Sequence, residues 1–262
     1  MLPACVSAVT ESPKASRVPG PFLRDSYYLE ILIPARNEAR RLPKTLTHTV
    51  SYLEHQPYSS SIVIIDNGSV DHTADLAAQV RSERVPIHLT RCTQRGKGAA
   101  VRCGFLTSRA RFVGYMDADL ATPIETLDVV EPMLREWQAV VGSRRIGEAK
   151  LAVRQPVHRE FAGMIFRAMV HQILPGLADT QCGFKFFAGD LARRVALNLR
   201  VDGFAFDVEL LRAIVEMGVP VKEIPVVWSD EPGSTLRPFS DGARTMVDLL
   251  SMARSKRANA WK

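Results

Sequence analysis

Cysteine is scarce in this chain of 262 residues: Cys5, Cys92, Cys103 and Cys182 are scattered and form no Cys-x-x-Cys pair. That argues against a zinc site or a disulfide framework and implies reduced thiols. The six histidines show no metal-ligand spacing either. No apolar run approaches the length of a bilayer span, and the amino terminus lacks the basic-then-apolar profile of a signal peptide. The expected location is cytoplasmic, with peripheral attachment to the cytosolic membrane face as the other reading. Two glycine signatures are missing as well. The first strand is not followed by Gly-x-Gly-x-x-Gly, and Arg95-Gly96-Lys97-Gly98 lacks the spacing and the hydroxyl residue of a P-loop. A nicotinamide dehydrogenase and a standard ATPase are thereby disfavoured.

Charge is not balanced. A formal net charge of +6 and a pI near 9.3 call for an anionic partner. Nucleic acid is not the expected one: zinc-finger, RRM and helix-turn-helix signatures are absent, and the cations are not interleaved with aromatics.

Strand character alternates with helical character along the chain. Leu29 to Pro34, Ile62 to Asp66, Pro86 to Thr90, Arg111 to Met116 and Ala139 to Gly142 read as strands, and Val219 to Trp228 as a late one. Their apolar runs do not alternate, which suits parallel strands buried on both faces. Helices are expected from about Leu42 to His55, from near Asp71, after Gly98, from Phe161 to Leu174, from about Gly203 and from Ser240 onward. Pro123 fits the first turn of another. The order predicts an α/β fold, a Rossmann-like, mostly parallel doubly wound sheet in a single domain. A flexible leader is expected over residues 1–27, the domain over 28–238 and a basic amphipathic helix and tail over 239–262. The stripe Phe161, Ile165, Met169, Ile173 is read as core packing before membrane contact. Asp179 to Lys185 is too polar for a strand and too particular for a spacer.

Ligands of such sheets gather beyond the carboxyl ends of the strands, and three of these ends carry polar clusters: Arg36 to Glu38, Asp66 to Asp71, and Asp117 to Asp119. In an extended backbone Asp117 and Asp119 share a face. Two carboxylates there suit a divalent ion, since Mg²⁺ and Mn²⁺ use one or two carboxylates plus substrate phosphates. A helix cap beside an ordinary surface aspartate is the other reading. The Gly-Lys-Gly loop offers backbone N–H groups and an ammonium to a phosphate, or is a plain turn before a helix.

Six segments then occur in order: Ile33-Pro34-Ala35-Arg36-Asn37-Glu38, Ile65 to Asp71, Arg95 to Arg102, Met116-Asp117-Ala118-Asp119, Val141-Gly142-Ser143-Arg144 and Asp179-Thr180-Gln181-Cys182-Gly183-Phe184-Lys185. Together they resemble the family 2 glycosyltransferases, within them the polyprenyl- or dolichyl-phosphate glucosyl- and mannosyltransferases, from about Leu29 to Arg254. The resemblance implies a GT-A fold and inverting transfer of a hexose, glucose first, from a nucleotide sugar to a polyprenyl or dolichyl phosphate. GDP-mannose as donor, or a soluble natural-product acceptor, is the alternative. It implies Mg²⁺ or Mn²⁺ held by Asp119 and Asp117. The nucleotide-sugar site would comprise Pro34, Ala35, Arg36, Glu38, Asp66, Gly96, Lys97, Asp117, Ala118 and Asp119. Arg144, catalytic with the aspartates, would grip the acceptor together with Arg154, Arg159, Gln181, Lys185 and Arg237.

A phosphate acceptor is already ionised and needs no base; a hydroxyl acceptor needs one, for which Asp207 and Glu209 are the candidates. Two departures from the family pattern stand out. Asp66-Asn67-Gly68-Ser69 replaces the usual Asp-Asp-Gly-Ser, and Thr235 follows Gly233-Ser234 where a lysine is usual, with Arg237 placed to take over that cation.

Overall fold

The structure, a computed structural model, describes residues 5–6, 26–147, 150–151, 157–229 and 238–254. Strands β1 (Cys5–Val6), β2 (Leu29–Ala35), β3 (Ser60–Asp66), β4 (Ile87–Cys92), β5 (Phe112–Met116), β6 (Ala139–Ser143), β8 (Phe184–Ala188) and β9 (Lys222–Pro225) form one mixed sheet. Its order is β1-β4-β3-β2-β5-β8-β6-β9. A separate pair joins β7 (Lys150–Leu151) to β10 (Val227–Trp228) in parallel. The helices are α1 (Leu42–Glu54), α2 (Thr73–Ala77), α3 (Lys97–Thr107), α4 (Leu127–Leu134), α5 (Val157–Ile173), α6 (Gly189–Ala196), α7 (Phe206–Glu216) and α8 (Pro238–Arg254).

The continuous apolar runs dictate a sheet covered on both faces. Along β2, Ile31 and Ile33 pack with Leu42, Leu46 and Leu53 of α1 and with Leu127 and Val130 of α4. Leu32, one residue out of step, packs on the other face with Ala100 and Phe105 of α3, Leu191 of α6 and Leu210 of α7. Met169 and Ile173 of α5 cover Val208 together with Leu249 and Met252 of α8, as the core-packing reading of that stripe requires. Phe161 and Ile165 lie outside the residues whose side chains are described.

Several elements differ from expectation. Within the expected leader, Cys5–Val6 pairs antiparallel with β4. Pro123 precedes a short 3₁₀ turn, Ile124–Thr126, that leads into α4. The late strand is split into β9 and β10, and α6 was not anticipated. Cys92 and Cys182 are free thiols, but Cys103 is disulfide-bonded, which corrects the expected reduced state.

The larger correction is β8. Phe184 and Lys185, read as too polar for a strand, open a strand that runs antiparallel between β5 and β6. Phe184 and Phe186 join one core face and Phe187 the other. Lys185, fully buried, pairs with Asp207 of α7 at 2.5 Å and also donates to the Cys182 carbonyl. The Tyr115 hydroxyl donates to the same carboxylate, and the Lys185 ammonium lies 5.4 Å from the Tyr115 ring centre. A buried charge survives only when paired. Lys185→Met is therefore expected to cost about 3–5 kcal/mol in urea unfolding, because Asp207 is left buried without its cation. The double variant Lys185→Met/Asp207→Leu is expected to recover part of that loss. Equal stability of the single variant and the parent would refute this pairing.

Candidate functional site

The carboxyl ends of β2, β3, β5 and β6 lie on one edge of the sheet, with Ala35 beside Asp66 in register. Because β8 runs the other way, its beginning lies on that edge too, with Phe184 opposite Met116. Residues 179–183, which precede it, are thereby delivered to the mouth from which Asp117, Asp119 and Arg144 emerge.

Asp117 and Asp119 meet through a turn after β5, not through strand alternation. The Asp117 N–H donates to the Gly183 carbonyl at 3.1 Å. A Cβ on Gly183 would lie 1.9 Å from Asp117 Oδ2, so only glycine admits the carboxylate here. Asp119 Oδ1 accepts from the Ala121 N–H at 3.1 Å, and Leu120 between them takes a left-handed φ of 56°. The turn is tied to α1 by the Thr45 hydroxyl, which donates to the Ala118 carbonyl at 2.7 Å. Burial, and then the neighbouring Asp117 charge, raise the Asp119 pKa above the ordinary carboxylate value.

Two cations answer these carboxylates. Lys97 Nζ lies 2.5 Å from Asp117 Oδ1. Burial works against its ammonium, but Asp117, Asp207 and Asp119 outweigh that and raise its pKa. Arg41, at the entry to α1, donates through Nη1 to Asp119 Oδ2 at 3.2 Å. Its Nε and Nη2 grip both oxygens of Glu38 at 2.7 and 2.5 Å. Burial raises the Glu38 pKa although Arg41 opposes it.

Hydrogen bonds staple the loops after β2 and β3. Asn37, at a left-handed φ of 55°, donates its N–H to Ser69 Oγ and accepts from the Val70 N–H. Asp71 accepts from the Ala39 N–H, and Thr73 Oγ1 from the Glu38 N–H. Asp66 is buried and accepts from the Ser69 N–H. Of the expected nucleotide contacts, Pro34 and Ala35 close β2 and Arg36 is exposed.

The Gly-Lys-Gly loop does not offer its glycine N–H groups to a ligand, which corrects the reading of Gly96. The Gly96 N–H donates to Asn67 Oδ1 at 2.7 Å, and the Gly98 N–H to the Asp202 carbonyl at 2.8 Å. Gly96 is required by its φ of 128° and by the Asp202 carbonyl, 2.0 Å from where a Cβ would sit. The loop presents Lys97 alone.

Arg144 forms a fork with Asp179: Nε to Oδ2 at 2.7 Å and Nη2 to Oδ1 at 3.0 Å, while its backbone N–H also meets Oδ2. The guanidinium lies 5.4 Å from the Trp228 ring centre. Burial opposes the Asp179 charge, yet the Arg144 fork prevails and holds its carboxyl down to about 2. Burial likewise opposes the charge on Arg144, but Asp179 above all, with smaller contributions from Cys182 and Asp117, raises its pKa. Gln181 adjoins it, its N–H donating to Asp179.

The remaining expectations divide. Arg154 and Arg237 lie outside the described residues, and Arg159 is described only as backbone of α5. Lys185 is sealed beneath the mouth and does not reach an acceptor, and Asp207, its partner, is equally buried and unavailable as a base. Glu209 is no base either, since Oε2 accepts from the Arg200 and Val201 N–H groups at 2.9 and 2.8 Å. Sequence reading missed Arg41 and the pairing of Asp179 with Arg144. The signal for Arg41 was its position three residues after Glu38, in the turn that enters α1, where the Arg41 and Leu42 N–H groups donate to the Glu38 carbonyl.

A model of "Glycosyl transferase family 2" matches residues 30–195. A dolichyl-phosphate beta-glucosyltransferase of Dictyostelium discoideum is 34% identical over 254 residues, 91% of this chain and 77% of that protein. Its Homo sapiens namesake is 32% identical over 251 residues, 89% and 77% of the two chains. Among solved structures, glucosyl-3-phosphoglycerate synthase from Mycobacterium tuberculosis in complex with Mg²⁺ and uridine diphosphate superposes with a TM-score of 0.64 at 16% identity, covering 91% of this chain and 85% of its own. The same enzyme with Mn²⁺ and UDP-glucose gives 0.63 at 15%, covering 90% and 85%. These last likenesses show the shared GT-A fold. With the mouth, its acidic pair and its arginine fork in place, the family match over most of the sheet establishes that the chain belongs to the family 2 glycosyltransferases.

Proposed function

We propose that the protein transfers glucose, with inversion, from UDP-glucose to dolichyl or a related polyprenyl phosphate. The observation that carries this is the segment 179–183, which sets Gly183 against an acidic turn suited to a metal diphosphate and, through Asp179, holds an arginine fork suited to an oxyanion. The names of the relatives supply the sugar and the acceptor, and the UDP-glucose complex of the structural neighbour supports the donor.

The acidic turn fits a divalent ion. Among the described residues no cluster of three His, Cys, Asp or Glu can hold a metal alone, so Asp117 and Asp119 suit an ion that draws its other ligands from diphosphate and water. Bound there, Mg²⁺ or Mn²⁺ would stabilise charge on the departing nucleoside diphosphate. Lys97 holds Asp117 in place and adds a second cation beside it. Arg144, with two donor nitrogens committed to Asp179, keeps Nη1 for the incoming phosphate oxygen and aligns it for in-line attack. The burial of Asp207 and Glu209 favours this acceptor over a hydroxyl, because an ionised phosphate needs no base. Among the described residues no helix is long and apolar enough to cross a membrane. Contact with a lipid-borne acceptor is assigned to the outer faces of α5, where Met164 is exposed, and α8, where Val247 and Leu250 are exposed on the helix that carries Arg244 and Arg254.

The direct test is a matrix of UDP-glucose, UDP-GlcNAc and GDP-mannose against dolichyl phosphate, undecaprenyl phosphate and water, with Mg²⁺ or Mn²⁺. Transfer from UDP-glucose to a polyprenyl phosphate is expected, and transfer from GDP-mannose alone would overturn the donor assignment. Asp119→Asn is expected to lower kcat by about 100-fold or more, read by the same assay. The Arg144–Asp179 fork predicts a pH effect on stability. Because the folded carboxyl lies below its unfolded value of about 3.9, its contribution of about 2 kcal/mol is complete above that pH and fades as pH falls toward 2. Urea midpoints of the parent and Asp179→Asn should therefore converge between pH 4 and pH 2, and a constant gap would count against the fork.

A further inference from the structure

Arg41, not expected at the site from the sequence, bridges Glu38 and Asp119. Its guanidinium is divided: Nε and Nη2 are held by both oxygens of Glu38, while Nη1 makes a single, longer contact of 3.2 Å with Asp119. Lys97 is different. It sits over the Tyr115 ring at 5.9 Å, bonded to Asp117 and flanked by the charge of Asp207. The two side chains are equally exposed, but Lys97 is committed to the acidic pair, whereas Arg41 is gripped by Glu38 and touches that pair with one nitrogen.

From this asymmetry we infer that Arg41 is a resident countercation, which occupies Asp119 in the donor-free protein and yields that carboxylate when a metal-bound nucleoside diphosphate arrives. The inference rests on the donor reading above. Glu38, Asp117 and Asp119 face Arg41 and Lys97, so the cluster carries one net negative charge. A divalent ion alone would turn it positive, and a diphosphate alone would make it more negative. Arriving together, the ion and the doubly negative diphosphate of a nucleotide sugar leave the net charge where it was. The Glu38 grip keeps Arg41 at the mouth after release, and Nη1 is then free to donate to a phosphate oxygen of the leaving group. Arg41 is thus a positioning residue that discourages metal binding in the absence of donor. It acts through the Asp119 carboxylate, which it holds and then gives up.

The test is Mn²⁺ binding followed by the electron paramagnetic resonance signal of the free ion, with and without UDP. The parent protein is expected to bind Mn²⁺ weakly alone and at least tenfold more tightly with UDP, within the usual range of coupling between two ligands. In Arg41→Gln, Mn²⁺ affinity without UDP should rise about tenfold and the gain from UDP should shrink accordingly. The double variant Glu38→Gln/Arg41→Gln, which leaves no unpaired charge from the Glu38–Arg41 pair, should show the same rise. It guards against a folding defect in the single variant. If UDP strengthens Mn²⁺ binding in the parent while both variants bind Mn²⁺ alone no better than the parent, the role of Arg41 is overturned and the donor reading stands. If Mn²⁺ does not bind the parent even with UDP, the donor reading falls and this inference falls with it.

Discussion

Two carboxylates packed into a tight turn at the end of a buried strand repel each other, and the mouth of this protein is built to answer that repulsion. Partial burial strengthens it, since a low local dielectric magnifies every charge. The cations arrive from separate loops: Lys97 from the start of α3 and Arg41 from the entry to α1. Topology makes this meeting possible. Strands β2 and β5 are parallel neighbours, so the loops leaving them open on the same edge. The antiparallel β8 then brings Gly183 against Asp117 and Asp179 against Arg144. Had β8 run parallel, its leading loop would lie at the opposite edge and the mouth would lack its arginine anchor.

Many polar groups near the mouth are engaged with one another and not turned toward a ligand. Lys185, Asp207 and Tyr115 form a buried network beneath the acidic turn, with the Lys97 and Lys185 ammonium groups both close to the Tyr115 ring. Glu209 closes the loop before α7, and Asp202 receives Arg102, Gln94 and the first N–H groups of α3. Bonds of this kind fix geometry where they are made, although the buried Arg102 Nε has no partner among the described residues. Their consequence for function is indirect: they hold the start of α3, and so Lys97, at one position relative to β5. A site that stabilises charge depends on such preorganisation.

The sequence revealed the strands that are uniformly apolar and hid those that are not. β2, β3 and β5 announce themselves because every residue is buried or nearly so and most are aliphatic or aromatic. β8 carries Lys185 at its second position, and a lysine reads as solvent-facing. It is buried only because Asp207, 22 residues later, meets it in α7. The acidic pair was legible as a pair but not in its geometry, since a turn and not strand alternation joins Asp117 to Asp119. Arg41 reaches Asp119 across 78 residues of sequence, and no local pattern encodes a contact of that range. The glycines of the Arg-Gly-Lys-Gly segment were visible, but the acceptors of their N–H groups, the Asn67 side chain and the Asp202 carbonyl, were not.

Asn67 shows how a departure from a family pattern acquires a physical reason. Where the family resemblance leads one to expect a second aspartate, this amide donates to the Cys92 and Gln94 carbonyls at 3.3 and 2.7 Å and accepts from the Gly96 N–H at 2.7 Å. A carboxylate reproduces the acceptance but has no proton for either donation. The amide thus joins the end of β3, the end of β4 and the start of α3, three loops that a carboxylate would join less completely. It also withholds one negative charge from the side of the mouth where Asp66 already lies buried. Since Gly96 immediately precedes Lys97, the amide that fixes the Gly96 backbone also sets where the ammonium begins its reach toward Asp117. The missing carboxylate is therefore part of how the acidic turn receives its cation.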